Sequence, residues 1–119
     1  MKVKCIKTSL AKSNNYIVNN KMDEYLLVGS LFWVFGMRFL KGIVYIYIFN
    51  SEHLFEVPIE LFEVVDNKLS NEWRVKICNN DEITLWPDLF YKEGFIENFA
   101  ERESYERELF ESLRIEIEK

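Results

Sequence analysis

Seven apolar residues follow one another without a break from Ile43 to Phe49, within GIVYIYIFNSEHLFEVP (residues 42–58). β-Branched and aromatic side chains dominate the run and no proline interrupts it, so it reads as a strand. Side chains alternate along a strand, which puts Ile43, Tyr45, Tyr47 and Phe49 on one face and Val44, Ile46 and Ile48 on the other. A strand that is apolar on both faces needs a covering layer on each side. The aliphatic face is read as core. The aromatic face has two readings: it is covered by a helix, or Tyr45 and Tyr47 form an open floor for a partner, a place that suits amphipathic tyrosine.

The covering helix is present further along the chain. After Pro87, Phe95, Ile96 and Phe99 fall at helical spacing. Tyr105, Leu109, Leu113 and Ile117 recur every four residues with Phe110 alongside, which predicts one apolar stripe. Opposite charges sit a turn apart, Arg102 with Glu106, Glu103 with Arg107 and Glu111 with Arg114, and Ser104 is a candidate N-cap. The alternating end, RIEIEK, allows a terminal strand as a minor alternative.

Ahead of Pro87 the signals are those of strands. Val3 and Cys5 alternate with lysines. Residues 24–35 are rich in β-formers, with a bend or bulge expected at Gly29-Ser30 and a turn at Gly36. Residues 38–49 are the strongest strand, closed by a turn at residues 50–52, with His53–Val57 returning as its hairpin partner. Pro58 ends that strand and opens one helical turn over residues 59–62. Residues 63–66 look extended, 73–77 alternate as a strand, and residues 83–86 form another, ended by Pro87. Tyr16-Ile17-Val18 sits between Asn pairs that read as loops.

These signals predict an α+β fold: a small, bent antiparallel sheet of five or six strands with one or two C-terminal helices packed on it. The 119 residues suit one domain, mostly β over 1–87 and mostly helical over 88–119. The apolar stretch from Tyr25 to Met37 has 13 residues, too few for the roughly 20 that span a bilayer. The N-terminus has no continuous apolar signal region. Two cysteines, Cys5 and Cys78, do not make a disulfide scaffold. The expectation is a soluble, cytoplasmic protein that does not insert in membranes.

No catalytic signature appears. His53 is the sole histidine, and any triad or thiol mechanism has to use it. Two cysteines and one histidine, widely spaced, make a poor zinc site, and no calcium loop occurs. Gly29, Gly36, Gly42 and Gly94 are isolated, so no phosphate loop is present. Neither an enzyme nor a cofactor or metal site is expected.

Charge is distributed unevenly. Residues 1–50 carry seven Lys/Arg and two Asp/Glu, a net of +5, while residues 51–119 carry eight and eighteen, a net of −10. The acidic half repels nucleic acid and attracts a basic protein. The alternative is a nucleic-acid-associated small β-barrel using Lys2, Lys4, Lys7, Lys12, Lys21, Arg38 and Lys41 beside Phe32 and Trp33. The sequence pI of about 5.0 counts against it.

The stretch VPIELFEVVDNKLSNEW (residues 57–73), with Pro58, Leu61, Phe62, Glu63, Asp66 and Trp73, resembles a group of small bacterial proteins of Src-homology-three-like barrel character. Acidic C-terminal helices often follow in that group. Many such proteins resemble the immunity proteins encoded beside polymorphic or contact-dependent growth-inhibition toxins. The resemblance spans mainly residues 43–90 and implies inhibition by binding: an antitoxin acting on a cognate toxin domain, of which a basic nuclease is the expected kind. The residues expected at that contact are Glu93, Glu97, Glu101, Glu108 and Glu111, with Tyr91 and Tyr105 as aromatic anchors and Tyr45 and Tyr47 as a further floor.

Overall fold

The computed structural model describes residues 1–7, 26–50 and 53–119. Among these residues seven strands form one antiparallel sheet: β1 (Lys2–Cys5), β2 (Leu31–Leu40), β3 (Ile43–Asn50), β4 (His53–Pro58), β5 (Phe62–Asp66), β6 (Trp73–Asn79) and β7 (Glu82–Pro87). Two helices follow, α1 (Phe95–Ala100) and α2 (Ser104–Ile117). The Tyr16–Val18 triplet, its flanking Asn pairs, Lys12, Lys21 and the Ser51-Glu52 turn lie outside the described residues.

The architecture branches at β2. One edge of β2 pairs with β3, which in turn pairs with β4. The other edge is shared: Leu31–Trp33 pair with β1, which carries β5, and Met37–Leu40 pair with β7, which carries β6. The sheet therefore bends into two leaves about the middle of β2.

A β-bulge makes that bend. Val34 faces Ile48 and Gly36 faces Tyr47, which leaves Phe35 as the extra residue. The indole Nε1 of Trp73 donates to the Phe35 carbonyl at 3.0 Å, so the bulged backbone is not left unsatisfied. Gly36 is thus a mid-strand residue and not the expected turn. A Cβ there would lie 2.9 Å from Cδ1 of Trp86 and 3.3 Å from the Leu85 carbonyl oxygen, so glycine is the residue that lets these groups approach. The turn falls later, at Lys41 (φ 51°) and Gly42 (φ 79°), the left-handed pair that a two-residue hairpin requires. Likewise the stretch just before β2 is a turn, with the Ser30 amide bonded to the Leu27 carbonyl around Gly29.

The alternation of β3 divides two cores. Ile46 and Ile48 join Val3, Cys5, Val34, Met37, Val57, Leu61, Phe62 and Trp73 in an aliphatic core between the leaves. Tyr47 joins Phe35, Phe90, Phe95, Phe99, Phe110 and Ile117 in an aromatic core beneath the helices, with Phe49 partly buried against it. The covered reading of the aromatic face is the one the fold adopts. The buried stripe of α2 is Phe110, Leu113 and Ile117, whereas Tyr105 stands outside it at 62% exposure. The helix runs through Ile117, so RIEIEK is not a strand. Its N-cap is Glu103, and Ser104 is the first helical residue.

A one-turn 3-10 helix over Ile59–Leu61 follows Pro58, as expected from proline's fixed φ. Among the described residues no helix is long and apolar enough to cross a membrane.

Candidate functional site

The surface presented by α1, α2 and their flanks contains the acidic residues singled out in the sequence. Residues 88–119 hold ten Asp/Glu and five Lys/Arg. The helices are held down by rings: Phe99 and Phe110 meet at 4.9 Å, Phe49 and Phe110 at 4.9 Å, and Phe95 and Phe99 at 5.9 Å. Between the helices the chain reverses through Arg102 in the left-handed conformation (φ 64°), where the Glu103 amide reaches back to the Asn98 carbonyl.

Of the five cations of this segment Lys92, Arg102 and Lys119 are exposed, and two are set deeper. The Arg107 guanidinium lies 3.8 Å from the centroid of the Phe99 ring and donates to the Phe99 carbonyl at 2.9 Å. Arg114 lies 5.1 Å from the Phe49 ring. Both arginines are half-buried, their charge set against aromatic faces of the core. Glu93, Glu97, Glu101, Glu108 and Glu111 are all exposed. Two basic residues of the segment are thereby drawn inward while these five carboxylates face water. Glu111 shares Arg114 with Glu118, at 3.2 and 3.1 Å. The pairing of Glu111 with Arg114 expected from spacing is formed.

The nine contact residues expected from the sequence divide. Glu93, Glu97 and Glu101 belong to α1 and its flanks. Glu108 and Glu111 belong to the outer side of α2, which also carries Ile115 at 64% exposure. Tyr105 is open to solvent beside Lys92, whose Nζ lies 5.6 Å from its ring. Tyr91 is half-buried and its hydroxyl is committed: it shares a 2.7 Å hydrogen bond with Thr84 Oγ1 and lies 2.9 Å from the Arg74 carbonyl. Tyr45 is half-buried beneath the Arg38 guanidinium, 5.5 Å from its ring. Tyr47 corrects the expectation of an open floor. It is only 7% exposed, wedged between Trp86 at 5.8 Å and Phe90 at 5.3 Å, and its ring is not available to a partner.

One polar cluster escaped sequence reasoning. Arg38, on β2, bonds Glu56 on β4 and lies 3.3 Å from Glu82 on β7. Burial alone would lower the Arg38 pKa, but Glu56 chiefly, with Tyr47 and Glu82, raises it. Burial first, then the Glu56 carboxylate to which it is hydrogen-bonded, holds the Tyr47 phenol far above its ordinary range. The strand register could have revealed the cluster, since Arg38 sits opposite Tyr45 and Thr84 once the hairpin turn is placed at Lys41-Gly42.

His53, Cys5 and Cys78 belong to three different strands, β4, β1 and β6, and the two thiols are free. The described basic residues of the first half do not gather at one place on the sheet. Lys2 and Lys4 flank the start of β2, whereas Lys41 lies past its far end, roughly 30 Å along the strand at about 3.3 Å per residue. Compared with protein-family models, with curated proteins and with solved structures, the chain gives no match.

Proposed function

We propose that this chain is a cytoplasmic immunity-type protein that binds a cognate bacterial toxin domain and neutralises it without chemistry of its own. The contact runs through the exposed glutamates of α1 and α2, with Tyr105 and Ile115 as apolar anchors. One observation carries the reading: Arg107 and Arg114 are set inward on Phe99 and Phe49, while Glu93, Glu97, Glu101, Glu108 and Glu111 face solvent.

A basic nuclease fits such a surface. An enzyme that holds phosphates presents cations in its cleft, and an acidic face gains both long-range steering and local complementarity against it. Exposed aromatic and aliphatic side chains among the carboxylates supply apolar contact that charge alone does not.

The direct test is co-expression of this chain with the toxin domain encoded beside it, scored as growth rescue. Cells that die at the same rate with and without the chain sink the proposal. The charge mechanism has its own test. Double reversal, Glu101→Lys with Glu108→Lys, should slow association about tenfold or more near 20 mM salt. The gap should shrink toward 0.5 M salt, where charges are screened beyond about 4 Å. Equal association rates at low salt would remove the acidic face from the mechanism, even if rescue persisted.

A further inference from the structure

Strand β6 alternates as expected for a half-buried strand, yet it is not half-buried. Trp73 is covered, but every residue from Arg74 to Asn79 is exposed. Val75 is 65% and Ile77 74% exposed, the latter being the most exposed large apolar side chain of the described residues. Among those residues β6 pairs only with β7. In an antiparallel ladder every second residue turns its N–H and C=O away from its partner, so the outer edge of β6 offers a row of backbone donors and acceptors.

The two faces of this edge differ in chemistry. Ile77 is level with Ile83, Phe39 and Val44 across the sheet, and Val75 is level with Leu85 and Met37. They continue the aliphatic core outward, with Ile83 at 40% and Phe39 at 37% exposure. The opposite face presents Arg74 and Lys76. Arg74 donates to the carbonyls of Asn71 and Trp73, and Lys76 lies 5.7 Å from the Tyr91 ring. Neither forms an ion pair with a carboxylate among the described residues.

We propose that the β6 edge is a docking strip for an extended segment of a partner protein in which apolar and acidic residues alternate, added to the sheet as a further antiparallel strand. The added strand would set its apolar side chains beside Val75 and Ile77 and its carboxylates opposite Arg74 and Lys76, since facing residues in such a ladder share a side of the sheet. Charge decides against a second copy of this chain as the occupant. Self-pairing centred on Val75 sets Arg74 against Lys76, centred on Lys76 it sets Lys76 against its copy, and centred on Ile77 it sets the two Lys76 side chains diagonally on one face. Pairing centred between two residues sets Lys76 against apolar side chains. This strip is separate from the glutamates of α1 and α2, and either surface can fail while the other stands.

The probe is a fluorescein-labelled, eight-residue peptide of alternating valine and glutamate, titrated with the full chain. Binding should protect from hydrogen exchange the alternate amides of β6 that face away from β7. Backbone N-methylation along one edge of the peptide, at unchanged charge, should abolish binding. Lys76→Glu, an exposed change that leaves the fold intact, should weaken this peptide roughly tenfold and make a valine–lysine peptide the better ligand. The Glu101→Lys/Glu108→Lys variant should bind the peptide at least as well as the parent. The proposal is overturned if the N-methylated peptide binds equally well, if Lys76→Glu leaves the peptide preference unchanged, or if the chain alone dimerises with those amides already protected.

Discussion

One face of β2 and β3 is filled by Val34, Met37, Ile46 and Ile48; the other holds Phe35, Tyr47 and Phe49. The aliphatic side is closed by strands from both sides of the β2–β4 segment, β1 and β5, and it is covered over only part of its length. Its far end runs out to solvent at Val75 and Ile77. The aromatic side is closed by the last quarter of the chain, and its rings interlock at 4.9–6.3 Å from Phe35 to Trp86. A sheet face thus differs from its opposite less in how apolar it is than in which segment arrives to cover it. The helical cover also brings charge, so the aromatic side ends in an acidic surface and the aliphatic side in a bare edge.

The comparison can be broken first at its most crowded point. Phe110→Ala empties the centre of the aromatic core and should cost about 3–5 kcal/mol, while Ile115→Ala, on the same helix but facing water, should stay within about 0.5 kcal/mol. Urea denaturation of the two variants checks this, and equal midpoints would mean that α2 does not cover the sheet. Gly36→Ala comes next. It pushes a methyl against the Trp86 ring and the Leu85 carbonyl oxygen, and should cost about 1–3 kcal/mol by the same measurement.

A smaller effect sharpens the electrostatic difference between the faces. The Tyr47 pKa is raised on folding, so the neutral phenol is the form that the native state holds. Its contribution is intact below the ordinary value of 10.0 and is lost as pH climbs above it, because the unfolded chain ionises first. Between pH 9 and pH 11 the parent should lose about 1.4 kcal/mol more stability than Tyr47→Phe. Parallel stability profiles for the two proteins would show that the phenol is not held neutral. Smallest of all is Lys41→Asn at the β2–β3 turn. Asparagine tolerates the left-handed backbone better than lysine does, and a gain of about 0.5–1 kcal/mol is expected in thermal unfolding.

Much of the fold was legible because its signals are local. The uninterrupted run at Ile43–Phe49, the punctuation by Pro58 and Pro87, and the helical spacing of Phe110, Leu113 and Ile117 each speak within a dozen residues. The path of β2 was not legible. Gly36 reads as a turn from its neighbours alone, and only the rings of Trp86 and Phe90, some fifty residues on, explain a glycine within a strand. The stripe of α2 was read one position off, through Leu109 to Tyr105, because a four-residue spacing drifts from the helical 3.6. At the candidate site the excess of carboxylates is plain from composition. The inward setting of Arg107 and Arg114 is not, because it depends on which rings lie beneath them.

The pairing of Cys5 with Phe62 and of Val3 with Val64 joins points of the chain some sixty residues apart, whereas Leu40 meets Ile43 across a two-residue turn. Closing the longer loop sacrifices far more chain freedom before any contact repays it. Assembly is therefore expected to start at the β2–β3 hairpin, and the N-terminal strand to dock last. That order leaves the edge of β2 over Leu31–Trp33 unpaired until the rest of the sheet has formed.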